Sequence, residues 1–266
     1  DAFALSEALG LPVLFRPTTR ICHSKSNVTV GPVLPYSGKG EFHKDPRQYV
    51  VIPAHTRILH RKLNEKQPAV RKRISESGYN QYHFRGKRAI IASGIAAAYV
   101  QEIIPPDVSF MKIGAYPIDE EWLAGFVRKH QEVLVVEELF PVVEEVVREV
   151  AGTVTILGKK SGHAPYEGEL SPESVARIME SCGFSPAVHY SSVQPAPVLP
   201  PRPPILCAGC MHRPVFYAIK KVFRDGIYPS DIGCYTLGLQ LGAVDTTICM
   251  GASITVGSGF SHAGEE

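Results

Sequence analysis

An α/β fold built on a parallel sheet is what this sequence predicts, on two observations from its middle third. Between residues 87 and 183, short apolar runs alternate with segments whose apolar positions recur at helical spacing. The runs are continuously apolar rather than alternating, the pattern of strands covered by helices on both faces.

The elements follow in order. Arg88 to Ala92 reads as a strand, and Gly94 opens a helix carrying Ile95, Ala98, Tyr99 and Ile103. Val108 to Ile113 is a second strand, after which Pro117 and Asp119 start a helix with Trp122, Leu123, Phe126 and Val127 on one face. Val133 to Val136 is a third strand. Pro141 stands at the start of the next helix, whose stripe is Val142, Val143, Val146, Val147 and Val150. Thr153 to Leu157 is a fourth strand, and a last helix is capped by Ser171, begins at Pro172 and stops at Gly183.

The flanks differ. Leu5 to Leu9 reads as a helix end closed by Gly10, and Pro12-Val13-Leu14-Phe15 as a short buried strand. Residues 1–35 are too short to close a core alone, so they are expected to finish an earlier domain. Residues 36–86 are rich in Lys, Arg, His and Pro and predict a solvated basic linker. Residues 184–204 carry seven prolines, which exclude a helix or central strand and predict an extended linker. Residues 205–266 form a separate block rich in Gly and Cys.

Composition bounds the function. The 266 residues are 44% hydrophobic and 20% charged, which describes a globular chain of one large or two ordinary domains. A net charge of +2 makes no electrostatic case for a nucleic-acid partner. No apolar run approaches the ~20 residues of a membrane span. The opening Asp1-Ala2-Phe3-Ala4 has neither an initiator Met nor a basic start, so an internal piece of a longer protein is expected. Six cysteines are too few for a disulfide scaffold and point to a reducing, cytoplasmic setting.

Three clusters in the last block carry chemistry: Cys207-Ala208-Gly209-Cys210-Met211-His212-Arg213, Ser230-Asp231-Ile232-Gly233-Cys234-Tyr235-Thr236-Leu237-Gly238, and Asp245-Thr246-Thr247-Ile248-Cys249-Met250-Gly251-Ala252-Ser253. A helix is expected from Val215 to Phe223 after the first. Small residues where a strand hands over to a helix let the backbone approach a ligand, and free amides at the helix start favour an anion such as a diphosphate. Blander readings compete. Cys207, Cys210, His212 and Cys234 resemble a zinc set but lack a matched second pair, so no metal ligand is assigned. Cys22 and Cys182 read as structural thiols, and for Cys249 that reading and a place in the third cluster both stay open. Arg20 and His23 read as a structural pair, and Glu137 and Glu138 as carboxylates complementing a helix start.

Taken together, these clusters resemble the diphosphate-side domain of the indolepyruvate ferredoxin oxidoreductase large subunit. The segments with Tyr116-Pro117 and Val135-Val136-Glu137-Glu138 are similar to that family's transketolase-C-like domain. Leu11 to Leu14 and Thr18 to Ser24 look like the end of its pyrimidine-side domain. The resemblance covers the whole chain, with Ala208 and Met211 standing where prolines are usual. It implies a parallel-sheet transketolase-C-like domain (87–183) flanked by partial thiamine diphosphate-binding domains (1–35 and 205–266). It also implies oxidative decarboxylation of aryl 2-oxo acids to aryl-acetyl-CoA, with thiamine diphosphate, Mg²⁺, iron–sulfur clusters and coenzyme A. Ferredoxin would accept the electrons, and a small beta subunit would complete a hetero-oligomer. By position, Gly233 and Cys234 match a loop beside the thiamine. Gly251, Ala252 and Ser253 match the turn beneath the diphosphate, and Cys207, Cys210 and His212 match a loop beside the cofactor. The Mg²⁺ motif, the cluster ligands and the catalytic carboxylate are expected outside residues 1–266, so the chain alone is expected to be inactive. A ferredoxin oxidoreductase for another 2-oxo acid such as pyruvate, or a non-catalytic scaffold module, are the alternatives.

Overall fold

A computed structural model describes residues 2–32, 42–188 and 200–264. The chain divides into two compact units, Asp1–Ser192 and Val193–Glu266. In the first unit the helices α1 (Ala2–Leu9), α2 (Thr19–His23), α3 (Pro46–Tyr49) and α4 (Pro53–Ser75) precede the sheet. Then follow β1 (Gln81–His83), β2 (Arg88–Ser93), α5 (Gly94–Ile103), β3 (Ser109–Ile113), α6 (Glu120–Val127), β4 (Glu132–Val136), α7 (Val142–Val150), β5 (Thr155–Leu157) and α8 (Pro172–Ser181). The sheet order is β1-β3-β2-β4-β5. All neighbours are parallel except β1, which pairs antiparallel with β3. The expected α/β class with a mostly parallel sheet is therefore present.

The period of two along the strands explains the layers. Ile90, Ala92, Leu134 and Val136 point to one face and pack with Ala97, Val100 and Ile103 of α5 and with Val175 and Met179 of α8. Ala89, Ile91, Val133 and Val135 point to the other and pack with Leu123, Phe126 and Val127 of α6 and Val143 and Val147 of α7. Both faces are thus covered, which is why the strands carry no polar alternation.

Local chemistry sets the helix starts. Asp119 Oδ1 accepts from the Trp122 amide at 2.8 Å, capping α6. Ser171 and Ser174 form a reciprocal capping box at α8, with Pro172 in its first turn. Pro141 offers α7 no side-chain acceptor, and the buried Glu137 takes that place by accepting from the Val143 and Glu144 amides at 2.9 and 2.8 Å. Burial pushes the Glu137 carboxyl above the usual range, while those two amides pull the other way. Glu138 accepts from the Leu170 amide at 2.9 Å. Both carboxylates therefore serve the backbone. Glu144 is fully buried and accepts from Arg148 Nε and the Lys159 amide at 2.9 and 2.7 Å. A Cβ on Gly158 would lie 2.6 Å from its Oε2, so only glycine lets the chain pass there.

One flanking expectation is corrected. Pro12 to Phe15 is not a buried strand: it pairs with nothing in the sheet, and Leu14 and Phe15 are 89% and 79% exposed. A strand needs a neighbour for its backbone groups, and within this unit that run has none. The stretch expected as a solvated basic linker contains α4, a 23-residue helix that accommodates Pro68, and the edge strand β1. Only Val70, Ile74 and Ser75 of α4 are buried, so it lacks the continuous apolar stripe that reveals a helix. Its basic side chains make local ties: Lys66 Nζ donates to Leu9 O and Arg71 Nη1 to Ile118 O, each at 3.1 Å. Residues 33–41 and 189–199, which include parts of both expected linkers, lie outside the described residues. Among the described residues no helix is long and apolar enough to cross a membrane.

The second unit is smaller. It holds α9 (His212–Val222), β6 (Pro229–Ser230), a 3-10 helix (Cys234–Leu241), β7 (Thr246–Thr247) and α10 (Ala252–Ala263). The expected helix over Val215–Phe223 starts three residues earlier, at His212. Its core is Leu206, Phe216, Ala243 and Val244, with Cys210 and Leu237 against them. Gly238 lies flat under the Phe216 ring, where a Cβ would come within 2.7 Å of Cζ.

Two outcomes follow from this packing. His130 is buried between Phe84 and Phe126; its Nδ1 donates to Phe126 O at 2.9 Å, and its Nε2 has no hydrogen-bond partner. Burial holds its pKa below 6.5, and Lys129 adds to that. The unfolded chain therefore binds the proton more readily, so stability is full above about pH 6.5 and falls as the pH drops through the folded value. Denaturant titrations across this range should show His130→Phe with a flatter pH dependence than wild type; identical slopes would refute the assignment. Gly238→Val should destabilise the second unit by about 1–3 kcal/mol through overpacking against Phe216, read from the unfolding midpoint or amide exchange in α9.

Candidate functional site

β6 and β7 are short and parallel, with Ser230 opposite Thr247, so both chains leave the same edge at their C-terminal ends. Each then turns on a glycine that only glycine adopts readily: Gly233 at φ 111° and ψ −146°, and Gly251 at φ 87° and ψ −8°. Gly233 leads into the 3-10 helix that begins at Cys234. Gly251 leads into α10, whose first residues are Ala252 and Ser253. A Cβ built on either glycine would meet nothing within 4 Å, so both turns face open space. Ligands in α/β folds gather outside the carboxyl ends of parallel strands.

The two turns are joined by a residue that sequence reasoning did not select. Asp231 Oδ1 accepts from the Ser253 amide at 2.8 Å, and Asp231 O accepts from Thr236 Oγ1 at 3.1 Å. Gly251, at the N-cap of α10, has no side chain with which to cap it. Asp231 supplies that cap from the neighbouring loop. The Ser253 amide holds the Asp231 carboxyl below the usual range, with further help from the Ser253 hydroxyl and the Gly251 amide against a weaker desolvation. The sequence predicts free amides at this helix start; the structure corrects this, because the Ser253 amide is already taken by a carboxylate. The signal that could have found it is an acidic residue just after a strand, paired with a later helix whose cap is glycine.

At the other end of the strands a second aspartate makes a matching tie. The Tyr228 amide donates to Asp245 Oδ2 and the Asp245 amide to Tyr228 O, both at 2.8 Å. Two-residue strands have few ladder bonds of their own, and these aspartates clamp both ends of the pair.

The first cluster joins through an aromatic contact. His212, the first residue of α9, stacks on Tyr235 with centroids 4.7 Å apart and planes at 23°. Cys207 and Cys210 lie in the preceding turn, where the Cys210 amide donates to Cys207 O at 3.2 Å and Gly209 takes φ 73°. Arg213 Nε donates to the same Cys207 O at 3.1 Å and its Nη2 donates to Leu206 O, fixing the turn to the helix. Cys207 and Cys234 are exposed, and Cys210 is half-buried against the core. Thus His212 meets the second cluster through Tyr235, and the second meets the third through Asp231. Cys22, Cys182 and Cys249 are free thiols, of which Cys182 is buried. Arg20 pairs with Glu169. Among the described residues, no three His, Cys, Asp or Glu side chains gather as a metal-ligand group.

Around these turns the surface is apolar. Met211, Ile248, Met250 and Ile254 are each at least two-thirds exposed, and α10 buries no residue within this unit. Exposed apolar surface of that extent beside open glycine turns is characteristic of a surface that receives another group.

No family model matches the chain. It is 37% identical to the indolepyruvate oxidoreductase subunit IorA of Methanothermobacter thermautotrophicus, over 98% of this chain and 45% of that protein. The corresponding subunits of Thermococcus kodakarensis and Archaeoglobus fulgidus are 38% and 37% identical, each over 98% of this chain and 44% of the relative. The chain thus spans less than half the length of the curated relatives it matches. The resemblance read from its motifs holds along nearly the whole chain, and the chain is placed with the indolepyruvate oxidoreductase IorA subunits, as a relative of a segment of them.

Proposed function

We propose that this chain is a segment of an indolepyruvate ferredoxin oxidoreductase large subunit, and that its second unit provides one wall of the thiamine diphosphate pocket. The single observation that carries the pocket is the pair of glycine turns at the same edge of β6 and β7, open to solvent and cross-tied. The identity of the relatives supports the substrate, an aryl 2-oxo acid. The mostly parallel sheet of the first unit supports a transketolase-C-like domain at 87–183. Residues 1–35 and 205–266 are read as partial thiamine-binding domains on the same resemblance.

The residues present fit part of such a pocket. Gly233 and Gly251 remove the side chains that would hold a ligand off the backbone, and neither turn is obstructed. Cys234 and Tyr235 follow Gly233 immediately, with Tyr235 held by the His212 ring. Ala252 and Ser253 keep the α10 start narrow. When bound, thiamine diphosphate supplies a carbon nucleophile and an electron sink for decarboxylation. The chain's own part is to bind and orient it. Mg²⁺ prefers several oxygen ligands, and the three clusters offer one carboxylate near the turns, Asp231, which is engaged with Ser253. The Mg²⁺ motif and the iron–sulfur cluster ligands belong in this reading to protein outside residues 1–266, and ferredoxin and coenzyme A are read as electron acceptor and co-substrate of the whole enzyme. The small beta subunit likewise lies outside these residues, as partner in a hetero-oligomer. The apolar rim of Met250 and Ile254 is in keeping with a surface covered by such protein.

Two measurements test the reading. Titration of the full-length subunit with thiamine diphosphate and Mg²⁺ should give saturable binding that Gly233→Val weakens by tenfold or more, about 1.4 kcal/mol, because valine neither adopts φ 111° nor leaves the turn open. Equal affinity of the variant and wild type would remove the pocket from this turn. The isolated 266-residue chain should show no indolepyruvate-dependent viologen reduction, whereas the full-length complex should. Turnover by the isolated chain would show that the missing parts are not required.

A further inference from the structure

We propose that Asp231 is a positioning residue for cofactor binding, acting through the turns at Gly233 and Gly251 rather than by touching the cofactor. This rests on the thiamine diphosphate reading above. The argument starts from what else could hold those turns. β6 and β7 share only the register pairs Pro229–Thr246 and Ser230–Thr247. Gly233 and Gly251 have no side chains, and among the described residues nothing beyond their chain neighbours comes within 4 Å of where their Cβ would be, so side-chain packing does not fix them. Cys234 and Tyr235, after Gly233, are exposed; Ala252 and Ser253, after Gly251, are half-buried, and α10 buries none of its residues fully within the unit. The polar contacts described between the two loops at this edge converge on the Asp231 carboxylate, led by the Ser253 amide at 2.8 Å with the Ser253 hydroxyl and the Gly251 amide beside it. The same residue, through its carbonyl, receives Thr236 Oγ1 in the first turn of the 3-10 helix. One residue therefore holds the start of both helices, with Gly233 and Cys234 lying between it and Thr236. Oδ1 is an acceptor in a carboxylate and equally in an asparagine amide, so the contact is a matter of geometry before charge.

The consequence is a specific order among substitutions. Asp231→Ala removes the acceptor, leaves the two turns free to separate, and is expected to raise the Kd for thiamine diphosphate with Mg²⁺ about tenfold in the full-length subunit with its companion subunit. Asp231→Asn keeps an oxygen in place and should stay within about threefold of wild type. Asp231→Glu keeps the charge but moves it by one methylene and should weaken binding in the same sense as Ala. Hydrogen exchange supplies a readout independent of cofactor: the Ser253 amide should exchange faster in Asp231→Ala and remain protected in Asp231→Asn.

A wild-type complex with no affinity for thiamine diphosphate overturns the cofactor reading and this proposal with it. Wild-type binding together with unchanged affinity in Asp231→Ala overturns the positioning role alone. Should Asp231→Ala fail to assemble, the remaining pair decides: Asn binding like wild type while Glu binds weakly upholds the role, and Glu binding like wild type or Asn binding as weakly as Glu overturns it.

Discussion

The second unit depends on a clamp of carboxylates on a strand pair too short to hold itself. Two parallel strands of two residues each cannot set the spacing of the loops that leave them. Asp245 ties one end by exchanging hydrogen bonds with Tyr228, and Asp231 ties the other through the Ser253 amide. Hydrogen bonds to an ionised acceptor are shorter and stronger than neutral ones, which suits them to a job that a longer ladder performs elsewhere. With both ends fixed, the glycine turns can remain bare without losing their relative position.

The same division of labour appears in the first unit, on a larger scale. There the ladder is long enough, and buried carboxylates act on helix starts instead. Glu137 caps α7 where Pro141 cannot, and Glu144 collects Arg148 and the amides of Lys159 and Lys160 beneath Gly158. The buried position costs Glu137 solvation, visible as an upward shift of its carboxyl. The two amides it receives offset part of that cost, because a buried acceptor with partners is far less penalised than one without.

This explains which parts were legible in the sequence. Strands β2 to β4 were readable because sheet faces covered on both sides leave an unbroken apolar run, α6 and α8 because their stripes and caps are local, and α7 by its valine stripe alone. The helix α4 was not, since only Val70, Ile74 and Ser75 are buried and a proline lies inside it. Edge strand β1 was missed because it is three exposed residues whose place is decided by pairing with β3. Pro12 to Phe15 misled in the opposite sense: its apolarity is genuine, but strand formation is a property of pairs, and no strand of this unit receives it. Within the site, Gly233 and Gly251 were legible because a turn needing positive φ asks for glycine wherever it occurs. Asp231 and Tyr235 stood inside the quoted motifs, yet their roles depend on a loop and a helix that are distant in sequence.

That contrast separates two kinds of position in a binding loop. Glycines and small residues permit a ligand to approach, and their signature is local backbone conformation. The residues that keep such a permissive backbone from drifting lie beside them and act across space, as Asp231 does on α10 and His212 on Tyr235. A motif rich in glycine thus announces where a ligand can come close but is silent on what makes the approach reproducible. An open turn without its tie would pay for each binding event in lost backbone entropy, whereas a tied one has that ordering already built in. On the proposed reading, the affinity of this site is set as much by an aspartate that need never touch the ligand as by the glycines beside it.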